Sequence, residues 1–118
     1  DLIENSRIKI LYAKYGHIFA KKILSETEIT EFNKSKSPVS YLSKHFASKE
    51  ALSKALGTGL YRKGVYPSKL VIDHDKSGKP FFVKTNTLIK ILKSISANNI
   101  FLTISDTDSH STAMVLVE

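Results

Sequence analysis

Pro38-Val-Ser-Tyr-Leu-Ser-Lys-His-Phe-Ala-Ser-Lys-Glu-Ala-Leu-Ser-Lys-Ala-Leu56, closed by Gly57, decides the fold of this chain. Ser37 and Pro38 suit an N-cap and a first helical turn. Gly57 suits the left-handed residue that ends a helix. The spacing predicts one long helix over Pro38–Leu56. Inside it Phe46, Glu50 and Lys54 recur every fourth residue, so they share a face one turn apart. On geometry alone Glu50 and Lys54 make a surface ion pair worth about 0.3–0.5 kcal/mol, which is commonplace on helices.

Upstream, Ile3, Ile8, Leu11 and Tyr12 alternate with Arg7, Lys9 and Lys14, which predicts a short amphipathic helix with a basic face. Gly16 interrupts it, and a second helical turn over 17–22 adds positive charge. Ser25 and Glu28 have capping-box spacing, so a helix should start there and reach about Lys34. Beyond Gly57 the period changes. Leu70 to His74 alternates as a strand, Asp75-Lys-Ser-Gly78 reads as a turn, and Pro80 to Lys84 as the partner strand. Leu88, Ile91, Leu92 and Ile95 recur at helical spacing over 87–97. Ile100–Ser105 and Thr112–Val117 read as an antiparallel pair. The fold class is therefore α+β, with helices packed on a small antiparallel sheet in a single domain over residues 1–118.

The chain has 118 residues, no cysteine and a net charge of +7. Without cysteine there is no disulfide, thiolate zinc site or thiol nucleophile. No apolar run approaches the ~20 residues of a membrane span. The charge calls for an anionic partner, and a basic nucleic-acid-binding module without catalysis is one class that satisfies it. The basic residues are spread along the chain, however, with no zinc-finger or RNA-recognition signature. Histidines 17, 45, 74 and 110 lack zinc-ligand spacing. Gly57-Thr-Gly59 lacks the Walker pattern, Ser105-Asp-Thr-Asp108 lacks the calcium-loop pattern, and Gly78-Lys79-Pro80 reads as a hairpin turn.

Taken together, these pieces resemble the holo-acyl-carrier-protein synthases, the small trimeric branch of the phosphopantetheinyl transferases. His45-Phe-Ala-Ser-Lys-Glu-Ala-Leu-Ser-Lys-Ala-Leu-Gly-Thr-Gly59 is similar to their signature, an aromatic followed by Lys-Glu-Ala and then Lys. Asp1-Leu-Ile-Glu-Asn-Ser-Arg-Ile8 resembles their opening motif. Ser77-Gly-Lys-Pro80 resembles the hairpin, and Ile104-Ser-Asp-Thr107 the late strand. The likeness runs end to end in order. It differs at position 45, where many members carry arginine, which weakens the phosphate contact expected there. The family's first strand is expected ahead of Asp1, in a longer natural chain.

The resemblance implies the 4'-phosphopantetheinyl transferase fold and a magnesium-dependent enzyme of fatty acid biosynthesis. Such an enzyme moves the phosphopantetheine arm of coenzyme A onto a serine of an acyl carrier protein. It assigns Asp1 and Glu50 to Mg²⁺, and makes Glu50, or a water it holds, the acceptor of the serine proton. Lys54 would stabilise the departing 3',5'-ADP. Lys49, Ser53 and Gly57 would line the nucleotide, Gly78, Lys79 and Pro80 would close over it, and Asp106 and Thr107 would approach the adenine end. It implies a cytoplasmic homotrimer with sites between subunits. Arg7, Lys14, His17 and Lys21 would meet the acidic helix of the carrier, a complementarity that raises the encounter rate and fades with salt.

Overall fold

The computed structural model describes residues 1–118. The chain opens on β1 (Leu2–Glu4), followed by α1 (Asn5–Tyr15), α2 (His17–Ile23), α3 (Glu26–Asn33) and α4 (Pro38–Leu56). A short 3-10 turn at Pro67–Lys69 leads into β2 (Ile72–His74) and β3 (Pro80–Phe82), then α5 (Asn86–Ser94), β4 (Ile100–Asp106) and β5 (His110–Val117). The strands form an antiparallel sheet in the order β1-β5-β4 and a separate β2–β3 hairpin. This is the α+β architecture expected from the sequence.

The long helix sits at the centre. α4 packs on β5 and β4, while α1, α2 and α3 pack against α4. Its fully buried Leu42, Ala47 and Leu52 join Leu102 and Ala113 of the sheet in one core. Removing that apolar surface from water, at about 25 cal/mol per Å², is the main driving term. The helix stops where expected: Gly57 takes φ +78°, a conformation that a Cβ disfavours. The capping box of α3 also forms, with Ser25 Oγ accepting the Glu28 N–H and Glu28 Oε1 accepting the Ser25 N–H.

The first turn of the expected N-terminal helix is a strand instead. Ile3 points into the core while Leu2 and Glu4 point out, and the three residues pair with Thr112, Ser111 and His110. Asn5 then fixes where the helix begins. Its side-chain amide donates to the Thr107 and Asp108 carbonyls, each at 3.2 Å, and its Oδ1 accepts Ser111 Oγ at 2.8 Å. These long-range bonds override a weak helical period.

Strand alternation leaves the far face of the sheet bare. Leu2, Phe101, Met114 and Leu116 all point away from α4, with Leu2 67% and Met114 71% exposed. No helix of the chain is long and apolar enough to cross a membrane.

Candidate active site

α4 brings Glu50 and Lys54 to one face, as the sequence requires, but the two do not pair. Lys54 Nζ instead donates to Asp1 Oδ1 at 2.5 Å. Asp1 reaches this turn because its carbonyl accepts the Ala113 N–H at 2.8 Å and its amine donates to the Ala113 carbonyl, which lays the chain start along β5. The Asp1 side chain is 13% exposed and that of Lys54 67%. Glu50 is half-buried and takes part in neither of the two lysine–carboxylate ion pairs of the chain. Asp1, Ala51, Lys54 and the β5 residues Thr112 to Val115 bound an open cavity of about 430 Å³. This corner offers the Asp1 carboxylate and the exposed Lys54 ammonium, with Glu50 one helical turn before Lys54 on α4.

A second cavity, of about 320 Å³, lies at the other end of α4. Tyr41, Lys44 and His45 of α4, Gly78 and Pro80 of the hairpin, and Asp106 at the end of β4 line it. The structure thus unites Gly78, Pro80 and Asp106, which the sequence scatters over 29 positions (78 to 106). It does not bring them to Lys54 of the same chain. Lys54 stands 13 residues beyond Tyr41, about 20 Å along a helix rising 1.5 Å per residue.

His45 behaves as a neutral residue here. Its Nδ1 donates to the Tyr41 carbonyl at 2.8 Å, and its ring stacks on Tyr41 with centroids 4.0 Å apart. That tautomer leaves Nε2 a bare lone pair, buried without a hydrogen-bond partner. Burial pulls the imidazole down to about 4, overcoming the opposing pull of Glu28, so the 3.7 Å approach of Nε2 to Glu28 Oε2 is not an ion pair near neutral pH. Lys44 is the lysine that lines this cavity.

Lys49 and Ser53 are corrections. Both were expected to line the nucleotide; both are fully buried. They lie on the stripe of α4 that faces the core with Leu42, Leu52 and Leu56. Lys49 Nζ donates to Glu28 Oε1 at 2.6 Å, the Ile23 carbonyl at 2.7 Å and the Pro67 carbonyl at 2.9 Å. Three donors meet three acceptors, which is all an ammonium can offer. Burial still lowers the Lys49 ammonium below the usual lysine range, against the pull of Glu28. Ser53 Oγ donates to the Glu50 carbonyl at 2.7 Å. Lys49 has no donor left for a ligand, and the one hydroxyl proton of Ser53 is already used.

Thr107 and Lys79 are also held locally. Thr107 Oγ1 accepts the His110 and Ser109 N–H groups at 3.1 and 3.3 Å, closing the β4–β5 turn. The Lys79 N–H donates to Asp75 Oδ1 at 3.0 Å within the hairpin turn, and its side chain is exposed. The Ser77 hydroxyl, followed by the Lys79 N–H, holds the Asp75 carboxyl below its ordinary range. Gly57 lies at the Lys54 end of α4, away from the hairpin cavity.

Arg7 and Lys14 are exposed on α1, and Lys21 on α2. Ile10, 65% exposed, lies between the first two, and Ile18, 68% exposed, beside the third. His17 is exposed too, but its Nε2 lies 3.1 Å from Asn33 Oδ1 and its ring meets the edge of Phe32. The residue that pattern reading missed is Glu28. Its capping-box role was legible; the buried lysine it also receives was signalled only by Lys49 standing on a core stripe.

A fold with this order of elements and a carboxylate–lysine corner on its central helix defines a class. The family model of the 4'-phosphopantetheinyl transferase superfamily matches residues 1–114, and the chain belongs to that superfamily. Within it the chain is similar to holo-[acyl-carrier-protein] synthases. That of Nitrosospira multiformis is 41% identical, covering 100% of this chain and 94% of that protein. That of Vibrio cholerae is 38% identical, covering 100% and 93%. The crystal structure of the Neisseria meningitidis synthase matches with a TM-score of 0.94 at 39% identity, covering 100% of this chain and 94% of that one. The Bacillus anthracis synthase in complex with CoA (3',5'-ADP) matches at 0.80 and 28% identity, covering 99% and 90%.

Proposed function

We infer that this chain is a holo-acyl-carrier-protein synthase, transferring the 4'-phosphopantetheine of coenzyme A to a serine of apo acyl carrier protein and releasing adenosine 3',5'-bisphosphate. One observation carries the reading: synthases of that name match the whole chain. The Lys54–Asp1 contact, one helical turn beyond Glu50 on the central helix, agrees with it.

In the reaction the serine oxygen attacks phosphorus, the pyrophosphate P–O bond breaks, and the bisphosphate leaves with the bonding electrons. The serine proton goes to Glu50 or to a water it holds. Lys54 swings on an exposed stem and faces the oxyanion that departs. Asp1 and Glu50 fit Mg²⁺, which takes hard oxygen ligands from one or two carboxylates plus phosphate and water, and Glu50 has no competing cation. When bound, the ion would neutralise and orient the pyrophosphate.

The two halves of the site favour a homotrimer. Tyr41, Lys44, Gly78, Pro80 and Asp106 would hold the nucleotide from one copy while Asp1, Glu50 and Lys54 act from the next. The apolar outer face of the sheet gives the copies a surface to bury. Light scattering on the protein should read three chains. Arg7, Lys14 and Lys21, with Ile10 and Ile18 among them, form the face for an acidic carrier. The reading places the enzyme in the cytoplasm, in fatty acid biosynthesis.

Incubation with apo carrier, coenzyme A and Mg²⁺ should raise the carrier's mass by one phosphopantetheine, and EDTA should stop it. An unchanged carrier would overturn the reading. Steeply salt-dependent binding to DNA or RNA without Mg²⁺ would point to the nucleic-acid module that the charge also permits.

A further inference from the structure

Glu28 is buried although it is a carboxylate, and its bonds exceed what a helix cap requires. The capping box is complete with Ser25 alone, and a cap of this kind is worth about 1 kcal/mol. Yet Oε1 also accepts Lys49 Nζ at 2.6 Å, and Oε2 accepts the backbone N–H of Ile72 at 2.8 Å. Lys49 precedes Glu50 on α4. Ile72 begins the hairpin that carries Gly78 and Pro80. One carboxylate therefore ties together the two segments that bear the two halves of the site. Lys49 extends the tie to the Ile23 and Pro67 carbonyls.

Stability alone does not call for this arrangement. A buried ion pair loses much of its Coulomb attraction to desolvation, and apolar residues of similar volume often serve as well. What an apolar pair cannot supply is direction. Hydrogen bonds weaken steeply with angle, so this set fixes the rotation of α4 and the start of β2 together.

We propose that Glu28 is a positioning residue for the transfer reaction. Through Lys49 it sets Glu50, and through the Ile72 N–H it sets the Gly78–Pro80 turn, so each copy presents both halves at one spacing and orientation. This rests on the reading of the chain as a phosphopantetheinyl transferase.

The test is the double variant Glu28→Gln, Lys49→Met, which removes both charges and keeps their volume. Thermal melts are recorded beside kcat and KM for coenzyme A, with the wild-type enzyme run in parallel. The double variant should melt below wild type, because the Ile23 and Pro67 carbonyls lose their donor, yet fold, and should lose about 10²-fold in kcat/KM, with kcat down and KM up, as a misplacement of about 1 Å at a reacting centre does. A double variant with wild-type kcat and KM overturns the positioning role and leaves the transferase reading intact. An inactive wild type removes both. Should the double variant not fold, Glu28→Asp keeps the charge and withdraws the carboxylate by one methylene. It should show the same joint change in kcat and KM, and wild-type constants there overturn the proposal equally.

Discussion

Lys49 and Lys54 stand five positions apart on α4, and each is held by one carboxylate at nearly the same distance, 2.6 Å to Glu28 and 2.5 Å to Asp1. Their surroundings differ completely. The Lys49 side chain is wholly buried and its three donors are all used, whereas the Lys54 side chain is 67% exposed with one partner. The length of an ion pair therefore says little about its role. A dry pair with every bond satisfied fixes geometry and is severely missed when one partner goes. A wet pair contributes little to stability, so its lysine can leave Asp1 for an anionic ligand at small cost.

The largest expected effect tests the wet lysine. Lys54→Ala should reduce carrier labelling by about 10²–10⁴-fold, the range for a group acting on the proton or charge of a reacting oxygen. The same change should alter unfolding free energy in urea by less than ~1 kcal/mol. Lys49→Ala should do the reverse. It strands Glu28 as a buried charge, and urea melts should show a loss of about 3–5 kcal/mol. Equal stability losses for the two lysines would erase the distinction between them.

A pH series sharpens it. His45 touches the dry cluster and titrates at about 4 when folded, against 6.5 for the unfolded chain. Between those values the unfolded chain holds the extra proton, so stability rises with pH. The gain across this window is on the order of 3 kcal/mol, complete above the unfolded value and lost toward the folded one. His45→Gln should flatten that slope in urea melts taken through the window, and an unchanged slope would place the titration elsewhere. The smallest effect is Ser25→Ala, which leaves the Glu28–Lys49 pair but removes the cap; a loss of about 1 kcal/mol is expected in the same melts.

The contrast also explains what could be read from the sequence. Local signals were legible because they are complete within a few residues: Ser25 with Glu28, Pro38 through Gly57, and the strands at 100 and 112. β1 was not, since three residues carry no usable period and their pairing partners lie over a hundred positions away. Glu50 and Lys54 were legible as one face of a helix, and the family likeness gave that face its chemistry. The burial of Lys49 and Ser53 turned on which side of α4 meets the core. Leu42, Leu52 and Leu56 mark that side, but a lysine among them reads as surface until Glu28 is placed opposite it. The hairpin–Asp106 cavity depends on three distant segments converging, which no local pattern encodes.

The central claim is that the exposed side of α4 carries the chemistry, with Glu50 at its centre. Its most direct test is the mass of apo acyl carrier protein after incubation with coenzyme A, Mg²⁺ and either wild-type enzyme or Glu50→Gln. Wild type should add one phosphopantetheine to the carrier. Glu50→Gln, melting as wild type does, should leave the carrier's mass unchanged over the same interval. Labelling by Glu50→Gln at the wild-type rate would contradict the account.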